Sequence, residues 1–248
     1  MAKQLEIMAL REKRIGELVE RVGEQSKGFK KPPIIVIGGY ALRAYVPLSR
    51  HSRDCDFALP KGKDWAIDRV AEWLDNLMVA GKHKQDSYGY LRLIQLIPAG
   101  KHQIKISLDF MEGEIRGRAG ERILLDGRFV QDSTEAGIQI GDHTIRIQVP
   151  SYQDYFLLKL VSGRPGDARD IVALVWKRGL PEVEALAKRA AEIVWEPKQI
   201  AGKLETIISD VFDTRFLDSW RGTFITEEFV EEDKGHVLRE LRRLKREM

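Results

Sequence analysis

The sequence predicts an α+β fold in which a strand-rich half, residues 1–149, precedes a helical half, residues 150–248. Short apolar or alternating runs, bounded by glycine, proline and aspartate, recur between Ile34 and Val149. From Tyr152 onward the apolar residues recur at helical spacing instead. Pro150-Ser151 marks the change, and no flexible linker separates the halves.

The elements follow in order. Leu5, Met8, Ile15, Leu18, Val19 and Val22 recur among charges and predict a helix over 4–26, broken by Lys27-Gly28 and Pro32-Pro33. Ile34 to Ile37 is a continuous apolar run, hence a buried strand. Tyr40 to Tyr45 fits a short helix, and Asp54 to Leu59 the next strand, ended by Pro60-Lys61-Gly62. Trp65, Ile67, Val70, Ala71, Trp73, Leu74 and Leu77 mark an amphipathic helix. Strands over 88–97 and 103–111 form a hairpin about the loop 98–101. Further strands are expected near 122–131 and 138–149, with turn signals at Asp126-Gly127 and Gly141-Asp142. Helices are expected over 151–162, 167–178, 181–194, 197–212 and 226–246.

The totals exclude several classes. At 43% hydrophobic and 32% charged residues, the chain can bury a core and is not disordered in bulk. A net charge of +3 argues neither for nor against nucleic acid. A single cysteine, Cys55, excludes an internal disulfide and a cysteine-based zinc site. The histidines form no zinc pattern, and neither a P-loop nor a Gly-x-Ser-x-Gly elbow is present. No run of about 18 apolar residues occurs, so no membrane span is expected. The N-terminus lacks the layout of a secretion signal, and a cytoplasmic location is the resulting expectation.

The chemistry concentrates between Val36 and Phe57. Asp54 and Asp56 alternate with Cys55, so the two carboxylates share one face of a strand and the thiol points the other way. Gly38-Gly39, a turn between strand and helix, lets phosphate oxygens approach backbone amides. Paired carboxylates offer hard oxygen ligands for Mg²⁺ (or Mn²⁺) carrying a nucleoside triphosphate. Two such ions about 3.5–4 Å apart can activate an attacking hydroxyl and neutralise the leaving pyrophosphate, an arrangement that wants a third carboxylate. Asp109 is the candidate. Ile104, Ile106, Leu108 and Phe110 fill one face of its strand, and Lys105, Ser107 and Asp109 share the other.

Gly38-Gly39 followed by Arg50-x-Ser52-x-Asp54-x-Asp56 resembles the first motif of the nucleotidyltransferase superfamily with a polymerase-beta-like core. Val149-Pro150-Ser151, Leu157-Leu158-Lys159-Leu160, Arg164 and Arg169-Asp170-Ile171 resemble the abortive-phage-infection toxin nucleotidyltransferases. The resemblance implies a mixed-sheet core followed by helices, and transfer of a nucleoside monophosphate from an NTP to an acceptor hydroxyl. Carried over, Gly38, Gly39 and Ser52 would border the triphosphate. Asp54 and Asp56 would hold Mg²⁺, with Asp109 as third ligand or as base. Lys159 would neutralise the triphosphate, and Arg169 or Asp170 would organise the helical side.

The resemblance leaves the acceptor open among the tRNA 3′ end or other RNA, a small molecule and a protein side chain. A toxin-like protein also implies an antitoxin protein. A non-catalytic nucleotide-binding protein that keeps the fold is the rival from another class. Leu238, Leu241 and Leu244 make a stripe whose intervening arginines face solvent or RNA phosphate. Lys27, Lys30, Lys31, Arg116, Arg118, Arg122 and Arg128 are further basic candidates.

Overall fold

The computed structural model describes residues 2–46, 50–100, 102–117 and 120–248; Lys101 of the expected hairpin loop and Arg118 of the basic set lie outside the described residues. The chain divides into two compact units. The first comprises Met1–Ala44, His51–Ile115 and Leu125–Pro150; the second comprises Tyr45–Arg50, Arg116–Leu124 and Ser151–Met248.

The first unit is built on a mixed five-stranded sheet of β1 (Ile35–Ile37), β2 (Asp54–Leu59), β3 (Val79–Gln85), β4 (Tyr88–Ala99) and β5 (His102–Glu112), in the order β1-β2-β5-β4-β3. β2 and β5 run parallel, and the other pairs are antiparallel. Alternation decides the faces. Cys55, Phe57, Leu91, Leu93, Ile106, Leu108 and Phe110 are buried on one of them. Phe57 and Phe110 are register partners and stack with ring centroids 4.4 Å apart. Full burial of each ring stabilises by about 1.5–3 kcal/mol. The helix α1 (Ala2–Gln25) buries Ile15, Leu18, Val19 and Val22, while Leu5 stays exposed.

After β1 comes α2 (Gly38–Ala41), which tightens into a 3₁₀ turn over Leu42–Ala44. The helix therefore starts at the glycines, two residues before the predicted Tyr40. The helix α3 (Ala66–Leu74) buries Ile67, Val70, Ala71 and Leu74. Its first free N–H groups, those of Ala66 and Ile67, donate to the Glu112 carboxylate at 3.1 and 3.0 Å. Burial pushes that carboxyl above its usual range in spite of those bonds.

β6 (Glu114–Arg116) follows β5 past Gly113, and β7 (Arg122–Leu124) is all that forms of the strand expected over 122–131. Asp126 accepts from the Phe129 N–H at 2.7 Å and caps a helical turn, α4 (Gly127–Gln131), instead. The strand expected over 138–149 is two, β8 (Thr134–Ile140) and β9 (His143–Val149), a hairpin that turns at Gly141 with φ +61°.

In the second unit, α5 (Tyr152–Ser162) starts at Ser151, whose hydroxyl accepts from the Asp154 N–H at 3.1 Å. α6 (Pro165–Arg178) begins two residues before the expected start, because proline suits the first helical position and Asp167 accepts from the Arg164 N–H at 3.2 Å. Then follow α7 (Val183–Ile193), α8 (Gln199–Phe212), α9 (Phe216–Phe224) and α10 (Glu231–Glu247). α9 is an addition to the expected helices and ends at Ile225, at φ +53°; α10 starts at Glu231 rather than at 226, where Asp233 accepts from the Val230 N–H at 3.0 Å. Trp176, Trp220, Phe224 and Phe229 pack as an aromatic cluster. Leu238, Leu241 and Leu244 are buried, so the apolar stripe of α10 is core. No helix among the described residues is long and apolar enough to cross a membrane.

Candidate active site

Parallel pairing of β2 with β5 sets Asp56 opposite Asp109 and Asp54 opposite Ser107. Register partners in a sheet project to the same side, so Asp54, Asp56 and Asp109 share one face, and Cys55 is buried on the other. Ser52 donates to Asp54 Oδ1 at 3.1 Å, which fixes that carboxylate. Gly38 stands at φ +69°, and a β-carbon there would come 2.2 Å from Asp56 Oδ2. The space a side chain would take belongs to the Asp56 carboxylate, and Gly39 is buried behind it in α2.

Asp109 is differently placed. Arg92, its register partner on β4, forks onto it through Nε to Oδ1 and Nη2 to Oδ2, both 2.7 Å. Tyr90, two residues along the same face, also hydrogen-bonds to Asp109; its phenol is pushed well up, by burial first and by that carboxylate second. The Asp109 side chain is only 6% exposed and that of Arg92 is 44% exposed, so Arg92 covers the carboxylate from the solvent side. These bonds raise the Arg92 pKa further above its ordinary value.

The donor set therefore suits a hard cation in part. Asp54 and Asp56 present carboxylate oxygens on one face, whereas both oxygens of Asp109 already accept from Arg92. Among the described residues no group of three His, Cys, Asp or Glu side chains is arranged to hold a metal ion. Sequence reading missed Arg92, although the alternation Tyr90-Leu91-Arg92-Leu93 marks it as facing the side opposite the buried leucines. It also missed Arg11 of α1, whose pKa is lowered by burial and by the like charge of Arg53 and supported by Asp54.

Gly38→Ala is expected to destabilise the fold by about 1–2 kcal/mol for its left-handed backbone and to displace the Asp56 carboxylate. Urea unfolding measures the first effect and Mn²⁺ titration the second; unchanged Mn²⁺ affinity would show that the close approach does not hold Asp56 in place.

In the second unit, Lys159 of α5 is buried with its ammonium 2.8 Å from Asp167 Oδ1 and 2.7 Å from Asp170 Oδ2. Arg50 forks onto the same Asp170 carboxylate at 2.6 and 2.7 Å. Asp170 is fully buried. Its desolvation favours the neutral acid, but Lys159 and the Arg50 hydrogen bonds outweigh that and hold its pKa below the usual range. Lys159 is thus seated between two carboxylates rather than standing as an open cation. Arg169 turns away from Asp170 and donates to Thr223 Oγ1 at 2.9 Å, and its carbonyl accepts from Trp220 Nε1 at 3.0 Å. His51 Nδ1 lies 3.1 Å from Glu12 Oε1, out of line for a hydrogen bond.

A mixed sheet with adjacent aspartates beside a glycine turn, followed by helices, is the architecture of nucleotidyltransferase-like proteins. The model of the nucleotidyl transferase AbiEii toxin family of type IV toxin–antitoxin systems matches residues 23–222, and the chain belongs to that family. The crystal structure of JHP933 from Helicobacter pylori is similar in fold, with a TM-score of 0.50 and 16% identity over 96% of this chain and 92% of that one. So is another H. pylori structure, of a protein provisionally assigned as a nucleotidyltransferase, with a TM-score of 0.50 and 15% identity over 96% and 95% of the two chains. No curated protein matches the chain.

Proposed function

We propose that this protein is a Mg²⁺-dependent nucleotidyltransferase that moves a nucleoside monophosphate from an NTP to an RNA hydroxyl, in particular the tRNA 3′ end. The observation that carries the reading is that Asp54 and Asp56, with Asp109 as the register partner of Asp56, share one face of β2 and β5 beside the Gly38 turn. In the reaction the acceptor oxygen attacks the α-phosphorus. A new P–O bond forms, the bond to the bridging α–β oxygen breaks, pyrophosphate leaves with that electron pair, and the acceptor hydroxyl gives up its proton to solvent water. Asp54 and Asp56 would hold the cation, and Ser52 keeps Asp54 aimed at it. A bound Mg²⁺ supplies Lewis-acid stabilisation of charge on the phosphoryl oxygens.

Membership in a toxin family supports RNA as acceptor, since a nucleotide added to a tRNA 3′ end blocks its charging with an amino acid. The same membership supports an antitoxin protein as the natural partner. The purified protein, given each α-labelled NTP with Mg²⁺ and total RNA, is expected to put label into RNA of tRNA size. Label should disappear with EDTA and when the RNA is digested beforehand. Label that survives RNase digestion would move the acceptor to protein or small molecule. No label from any of the four NTPs would reject the enzyme reading.

A further inference from the structure

Three carboxylates on one face suit two divalent cations in principle, but here the third already has a cation of its own. Arg92 holds both oxygens of Asp109 in a fork, and Tyr90 adds a further bond. Asp109 is nearly enclosed, whereas close to half of the Arg92 side chain meets solvent. Arg92 and Asp109 are direct cross-strand partners, and Asp109 is in turn the direct partner of Asp56. The guanidinium is therefore set by the sheet on the face that carries Asp54 and Asp56. Asp54 contributes to the favourable field at Arg92, which places the cation within reach of the whole acidic group.

From this arrangement we propose that Arg92 takes the place of a second metal ion, so that the site binds one divalent cation on Asp54 and Asp56 while Arg92, positioned by Asp109, contacts the triphosphate. The inference rests on the nucleotidyltransferase reading above and specifies how that site handles charge. One divalent ion together with Arg92 balances the formal charge of the three aspartates; two divalent ions would have to dislodge a bidentate, charge-assisted pair first. A guanidinium retains donors when two of its N–H groups are engaged, since it carries five. Its exposed edge can therefore take a phosphate oxygen without releasing Asp109. Asp109 is then a positioning residue, neither a metal ligand nor the base.

The experiment counts Mn²⁺ ions and reads nucleotide affinity separately from activity. Free Mn²⁺ is followed by electron paramagnetic resonance on the 248-residue protein, with and without the non-reacting analogue α,β-methylene-ATP. The wild-type protein with analogue is expected to bind one Mn²⁺ per chain. Asp109→Asn should change Mn²⁺ affinity by less than about twofold, whereas Asp54→Asn should lower it about tenfold or more. Arg92→Ala should weaken analogue binding about tenfold and leave Mn²⁺ affinity equal or higher, with partial recovery in Arg92→Lys, which keeps the charge but loses the fork. Two Mn²⁺ per wild-type chain would overturn the inference. So would an Asp109→Asn loss of Mn²⁺ as large as that of Asp54→Asn, or unchanged analogue affinity in Arg92→Ala. In each of these cases metal and nucleotide still bind, and the general reading stands. A wild-type protein that binds neither Mn²⁺ nor the analogue would bring down both.

Discussion

Asp56→Ala is expected to lower transfer of label from NTP by on the order of 10³-fold, the equivalent of the several kcal/mol that a metal ion contributes to charge stabilisation in such a step. Asp56 projects from the middle strand pair toward Gly38, where its carboxylate fills the space left by the missing side chain. Alanine removes the oxygen ligands but leaves the backbone pairing with Ile37 and Asp109 intact. Its thermal midpoint should accordingly stay within a few degrees of wild type, which places the variant among ordinary part-buried substitutions. Circular dichroism checks the fold and product labelling checks the reaction. Transfer at wild-type rate by a folded Asp56→Ala protein would remove this face from the chemistry.

The second large effect is on stability. Asp170→Asn should destabilise the helical unit by about 3–5 kcal/mol, because it breaks a buried ion cluster from one side. Lys159 keeps Asp167, but Arg50 loses its anionic partner and the two-point fork, because the asparagine amide offers a single acceptor oxygen. Denaturant unfolding followed by the fluorescence of Trp176 and Trp220, which lie in this unit, measures the loss. A stable Asp170→Asn protein with impaired transfer would instead make Asp170 a residue of the reaction. The same cluster sets an acid limit. The folded-state pKa of Asp170 is depressed, so its contribution is present above the unfolded value of about 4 and is lost as pH falls through the folded value. Unfolding of this unit should therefore begin below about pH 4, and later in acid for wild type than for the variant.

The strand Asp54–Leu59 and the hairpin of β4 and β5 were legible because alternation and turn residues agree with the sheet that forms. β3 was not, since Val79-Ala80-Gly81-Lys82-His83-Lys84-Gln85 has no apolar period; only pairing with β4 makes it a strand, and every residue in it is exposed. The stretch after Leu124 misled for the opposite reason. Apolar residues there suggested a strand, but the Asp126 side chain offers the backbone a cap and the chain turns into a helix. At the site, two-residue periodicity put Asp54 and Asp56 on one face of their strand, whereas Asp109 joins that face only through the register of β2 with β5, which no single strand displays. What could not be read was the state of each charge. Lys159 and Asp109 both carry the residue type expected of a reactive group, yet each is tied to partners distant from it in sequence or on another strand. Pairing of that kind depends on how elements dock, and a single strand or helix does not encode it.

The parallel ladder between β2 and β5 has one more implication. Antiparallel neighbours such as β4 and β5 fold back through a tight loop, whereas parallel strands can be joined only by a long crossover. The acidic face is thus split between two distant stretches of polypeptide, and the entropy of closing that circuit must be met before it exists. A ribosome that has delivered residues up to Leu59 has made Asp54 and Asp56 but not the strand that sets Asp109 beside them. Any fragment released before β5 begins lacks both Asp109 and the strand against which Asp56 is aligned, so an interrupted translation product of that length cannot assemble the acidic face on which the proposed reaction depends.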